Sequence, residues 1–329
     1  MIKILLLVSI MLLSFCLTEQ AKLSHDNTID KSDVETNTLK AGENVGPHSA
    51  EEERLMLLGT RGVEAATKSK MLYKTRDPRY IIDNQIHKEF DARKRWPQCK
   101  TIGEVHNEGN ELLSWAYAAT GVFADRMCIA TNGNYNQLLS TEELISCSGI
   151  KEREDGYVNR VLVWEYFKTH GLVSGGKYNT NEGCQPSKVP TVYNSQTKIY
   201  KRTCVEYCYG KDTINYNHDH VKVSNHYFIR IKDIQKEVQT YGPVSVFFDL
   251  HDDLFLYKSG VYAKTEKSKD KRYHHAKLIG WGVENGVDYW LLVNSWGYEW
   301  GQNGLFKIKR GTDECSVESH VYAGEPEIK

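Results

Sequence analysis

The run Asn107-Glu108-Gly109-Asn110-Glu111-Leu112-Leu113-Ser114-Trp115-Ala116-Tyr117 decides how this chain folds. Its first half is polar and carries a glycine. From Ser114 to Ile129, Ala, Trp, Tyr, Val, Phe and Met recur with helical periodicity, interrupted only by Gly121. The run therefore reads as a loop feeding a long helix. The plain structural role of Ser114 is a capping serine that satisfies the first N–H groups of that helix.

Outward from this helix, two more follow. One covers Thr141 to Ser146, opened by the capping-box-like Ser140-Thr141-Glu142-Glu143, and one covers Val161 to His170, stopping at Gly171. The second half changes character. Val244–Phe248, His275–Ile279, Tyr289–Val293 and Leu305–Ile308 read as short strands between glycines. A helical first half and a strand-rich second half predict an α+β fold of two lobes, with a cleft between them as the natural site.

Lys3 precedes an apolar run from Ile4 that is too short for a comfortable membrane span, so residues 1–21 read as a signal peptide. Residues 22–85 are polar and charged, with one short helical stretch, Glu51–Leu58, and suit a propeptide-like segment. Residues 86–329 form the remaining domain. The net charge of −1 over 329 residues argues against nucleic acid or an anionic membrane as the main partner. A secretory route permits disulfides, and removal of Cys16 leaves seven cysteines, hence one thiol over. Cys204 and Cys208 have no second compact pair beside them, and His218-Asp219-His220 has no third ligand, so no metal and no cofactor is expected.

Three segments in order make the pattern specific. Asn107–Tyr117 resembles the nucleophile segment of the papain family of cysteine proteases. His275-Ala276 before Gly280-Trp281-Gly282 resembles the catalytic-histidine strand, and Asn294-Ser295-Trp296 with Trp300-Gly301 resembles the asparagine segment. Phe90-Asp91-Ala92-Arg93, Trp96-Pro97-Gln98-Cys99, Gly171–Gly176 and Leu256–Tyr262 resemble the cathepsin B branch. The resemblance spans roughly residues 41–323. It implies a papain-like fold with a helical left lobe and a β-barrel-like right lobe, with maturation near Ile86. It also implies disulfides Cys99–Cys128, Cys147–Cys204 and Cys184–Cys208, leaving Cys315 free.

By the same resemblance the catalytic positions are Ser114, His275, Asn294 and, at the oxyanion position, Glu108. Trp115, Trp296, His274 and His320 would line the substrate cleft, with Trp296 shielding the His275–Asn294 bond. Serine stands where the family has its cysteine, and a hydroxyl is too weakly acidic for the preformed thiolate–imidazolium pair. Glu108 puts a carboxylate where an amide donor belongs, and loss of such a donor typically costs ~10²–10³ in rate. Glu108 is also a candidate partner for His275. Side chains at Tyr157, Val158, Asn159, Tyr273 and His274 fill places the family gives to glycine, and the histidines of the occluding loop are missing. The expectation is a secreted or lysosomal homologue with lost or weak peptidase activity. It would bind a peptide or protein in its cleft, such as an inhibitor or its own propeptide. The alternative is slow proteolysis through Ser114, His275 and Asn294.

Overall fold

The computed structural model describes residues 85–109, 111–190 and 202–328. The expected signal peptide, the propeptide-like segment up to residue 84 and the run Glu51–Leu58 lie outside the described residues.

Helix α1 (Ala92–Arg95) is one turn, capped by Asp91. Helix α2 (Ser114–Ala130) is the long helix the sequence predicts, and every residue from Ser114 to Cys128 is buried. A helix covered all round must run between cores rather than over one. Its N-cap is Leu113, with no side-chain cap, so Ser114 is the first helical residue and not the cap expected of it. Helix α3 (Thr141–Cys147) has the predicted cap, Ser140 Oγ accepting from Glu143 N at 3.0 Å. Helix α4 (Arg160–Thr169) is capped by Asn159, and α5 (Tyr216–Asp219) and α6 (Ile234–Tyr241) are short.

The strands are β1 (Phe90–Asp91), β2 (Val223–Ile229), β3 (Val244–His251), β4 (Val261–Tyr262), β5 (Asp270–Glu284), β6 (Val287–Val293), β7 (Leu305–Lys309) and β8 (Val321–Pro326). They form one sheet in the order β2-β8-β3-β5-β6-β7-β4, with β1 on β5. Among the described residues only β4–β7 pairs in parallel. No pairing joins β2 to β4 among the described residues, so the sheet is open rather than a closed barrel.

Two cores result. One lies under the sheet around Phe248, Leu278, Trp281, Trp290 and Phe306. The other gathers Trp115, Phe123, Trp164 and Phe167 from α2 and α4, and receives Phe228 of β2 and Tyr322 of β8. These are the two lobes of the expected α+β fold. Buried ion pairs tie α2 to the sheet side: Asp125 with Lys277 of β5 and Arg126 with Glu237 of α6, each at 2.9 Å. The three disulfides are Cys99–Cys128, Cys147–Cys204 and Cys184–Cys208, and Cys315 is a buried free thiol.

Candidate functional site

The site lies where the start of α2 meets the middle of β5. Asn294 follows β6, and its Oδ1 accepts from His274 Nε2 at 2.8 Å and from Ser295 N at 2.9 Å. The sequence reading paired Asn294 with His275; the structure pairs it with His274. On a strand, one residue of slip moves a side chain to the opposite face. Tyr273, His275 and Lys277 face the helical lobe, meeting Tyr157, Phe247 and Asp125. His274, Ala276 and Leu278 face the other way, toward Phe248 and the core beneath the sheet. Trp296 covers the His274 ring at 4.8 Å, so the shielding expected of it falls on the His274–Asn294 bond. Burial holds His274 down at about 4, hence neutral. Because Asn294 Oδ1 can only accept, the hydrogen bond assigns the His274 proton to Nε2 and leaves Nδ1 an acceptor.

Ser114 does not meet that acceptor. Its Oγ takes the backbone N–H of His275 at 3.3 Å, and His274 Nδ1 has no hydrogen-bond partner among the described residues. Ser114 is only 1% exposed. It borders a small space of about 20 Å³, room for roughly one water, shared with Lys277 and Asn294.

Glu108 fastens the loop before α2. Its Oε2 accepts from Leu113 N at 2.8 Å, at the positive end of α2. Its Oε1 accepts from Trp296 Nε1 at 2.9 Å and Ser295 Oγ at 3.2 Å. Its hydrogen-bond partners are thus Leu113, Ser295 and Trp296, and His275 is not among them. Burial nonetheless pushes its carboxyl up from 4.5 to about 7. Gly109, at φ +61°, continues this loop, and a Cβ there would lie 2.5 Å from Pro190 O, so the 185–190 segment is pressed against it.

Half of the cleft is filled. Phe247 meets Tyr273 at 4.6 Å, His320 at 5.0 Å, His275 at 5.1 Å and Tyr157 at 6.0 Å, while the Arg160 guanidinium lies 4.5 Å over the Phe247 ring. Tyr273 N donates to Asp155 O at 2.7 Å, joining the lobes by a backbone bond across the gap. Gly156, at φ +80°, permits that approach, because a Cβ there would lie 2.4 Å from Tyr273 O.

Comparison with known proteins agrees with this architecture. Residues 86–325 match the family described as "Papain family cysteine protease". The chain belongs to the papain family. It is 33% identical over 302 residues to cathepsin B-like cysteine proteinase 5 of Caenorhabditis elegans, covering 82% of this chain and 87% of that one. It is 35% identical over 295 residues to a cathepsin B-like cysteine proteinase of Schistosoma japonicum, covering 84% and 83%. Among solved structures, procathepsin B S9 from Trypanosoma congolense superposes with a TM-score of 0.65 at 28% identity, covering 79% of this chain and 85% of that chain.

Against the papain-family expectations, two further residues, Trp115 and His320, sit elsewhere in the structure, while Cys315 is the free thiol expected. Trp115 is not on the cleft wall but in the helical core, because α2 is enclosed. His320 meets Phe247 inside the filled half. Cys315 is buried and its thiol is pushed up to about 12, which removes it as a substitute nucleophile. In His218-Asp219-His220 the second and third residues are anchored to the helical lobe. His220 bonds Glu143 at 2.9 Å, and Asp219 accepts from Ser174 N and Oγ at 2.6 Å each. One pocket stays open beside His274, about 350 Å³, lined by Leu112, Leu250, Phe255, Arg272 and Trp296. Sequence reasoning missed Arg272. Its cue is period two: it lies two residues before His274 on the same face of β5.

Proposed function

We propose that this papain-family protein is a non-peptidase member of the cathepsin B-like branch, with Ser114 at the nucleophile position, and that it acts by binding a peptide or protein partner. The observation that carries the reading is the state of Ser114: sealed at 1% exposure, with its hydroxyl on the His275 backbone rather than on His274. Two others support it. Glu108 uses both oxygens as acceptors, so its ionised form offers no donor to a developing oxyanion. The aromatic group around Phe247 takes the space a substrate chain would need.

Residues 1–21 are proposed as a signal peptide, 22–85 as a propeptide and 86–329 as the mature unit, the family match beginning at residue 86. Three disulfides fit a secreted or lysosomal destination. Candidate occupants of what remains of the cleft are a partner's peptide segment, a protease inhibitor or the chain's own propeptide.

A second reading has one observation in its favour. Neutral His274, held by Asn294, presents Nδ1 as an acceptor, the state a general base for a serine hydroxyl requires. Labelling with a fluorophosphonate separates the two. The non-peptidase reading expects no adduct on Ser114 from about pH 4 to about pH 8, the range in which a histidine or carboxyl base would act. A Ser114 adduct that disappears in His274→Asn establishes the slow serine hydrolase instead.

A further inference from the structure

We infer that the open pocket beside His274 receives an acidic side chain from an extended partner segment, the carboxylate meeting Arg272 and apolar neighbours covering Leu112 on one bank and Phe255–Leu256 on the other. This inference rests on the reading of the chain as a binding protein, and names the kind of segment bound.

The charge arrangement points to a carboxylate. Arg272 is the one Lys or Arg among the residues lining the pocket. Its nearest acid, Glu152, lies 3.6 Å away, beyond a good hydrogen bond, and burial pushes that carboxyl up to about 8. The other acids on the walls are committed: Glu108 to Leu113, Ser295 and Trp296, and Glu111 to Arg202 at 2.5 Å. Arg272 is thus paired only loosely with Glu152, and no carboxylate oxygen lies at good hydrogen-bond distance from its guanidinium among the described residues. A guanidinium beside Trp296 and Leu250 offers its planar fork where water competes poorly, and the matching ligand is a carboxylate bound through two N–H groups.

The banks point to a segment crossing the pocket rather than a small acid inside it. Leu112 is 43% exposed, Phe255 48% and Leu256 79%. The Phe255 ring stacks on Trp296 at 5.0 Å, so this bank is continuous with the pocket wall. A ligand confined to the pocket would leave both banks in water. A chain lying across them, with its acid pointing down, removes that apolar surface from solvent.

The test uses the processed protein and three fluorescein-labelled heptapeptides read by fluorescence polarisation. One has a central Leu-Glu-Phe with an amidated end, one has Leu-Gln-Phe with an amidated end, and one ends in Leu-Gln-Phe as a free acid. The Glu peptide is expected to bind at least about tenfold tighter than its Gln counterpart, the usual scale of a charge-assisted pair. That ratio should fall to about one in Arg272→Gln and survive in part in Arg272→Lys. Phe255→Ala, at an exposed position, should weaken both amidated peptides equally. Equal binding of Glu and Gln peptides, a ratio unchanged in Arg272→Gln, or a free-acid Gln peptide that binds best each overturns the inference. Mass spectra of the same mixtures keep the two claims apart. Cleavage products would sink the non-peptidase reading, while the Glu-to-Gln ratio still decides the role of Arg272.

Discussion

Glu108 concentrates the chemistry of the site at the scale of a residue. Three donors surround its carboxylate, yet burial outweighs them and raises the carboxyl from 4.5 to about 7. An acid held above its unfolded value binds more protons when folded, so stability falls as pH rises from about 4.5 and the full cost is present above about 7. Gln is the neutral isostere. Glu108→Gln should therefore behave like wild type near pH 5 and be more stable near pH 8, by about 2–3 kcal/mol, in denaturant titrations at both pH values. A constant difference across that range would mean that Glu108 does not titrate there. The replacement of amide by carboxylate was visible in the sequence. Its engagement with Leu113, Ser295 and Trp296 was not, because Trp296 lies 188 residues away along the chain and only the fold brings it to Glu108.

Strand β5 shows at the scale of an element what the sequence hid and what it held in plain view. The dipeptide His275-Ala276 matched a familiar motif and set the parity one residue off. Lys277 carried the corrective signal. A buried lysine needs a carboxylate, and Asp125 in the enclosed helix α2 is the one it meets, which turns all odd positions of this stretch toward the helices. The helices were legible because their caps and periodicity are local. Strands β2 and β8 were not, because their pairing joins segments nearly 100 residues apart, from Val223↔Pro326 to Ile229↔Val321. Lys277→Ala leaves Asp125 buried and alone and should cost about 3–5 kcal/mol, whereas Lys277→Ala with Asp125→Ala should recover much of that loss. Thermal melts of the single and double variants check this, and additive losses would contradict it.

Two lobes, one central helix and a cleft between them were readable for the whole molecule from composition and three spaced motifs. The three disulfides followed from the family pattern and are present in the structure. How far the cleft is closed was readable only in outline. Tyr157 and Tyr273 could be seen to be bulky. That they converge on Phe247 with His320 and Arg160, while Asp155 and Tyr273 bond across the gap, is a property of both lobes together. The consequence is that restoring a nucleophile alone should not restore an enzyme. The most direct measurement is turnover of a dipeptidyl fluorogenic substrate by the processed wild type, Ser114→Cys and Ser114→Cys/Glu108→Gln. No turnover is expected from wild type or Ser114→Cys and at most a trace from the double variant, because the half of the cleft around Phe247 stays filled. Turnover by wild type that is abolished in His274→Asn would contradict the non-peptidase reading.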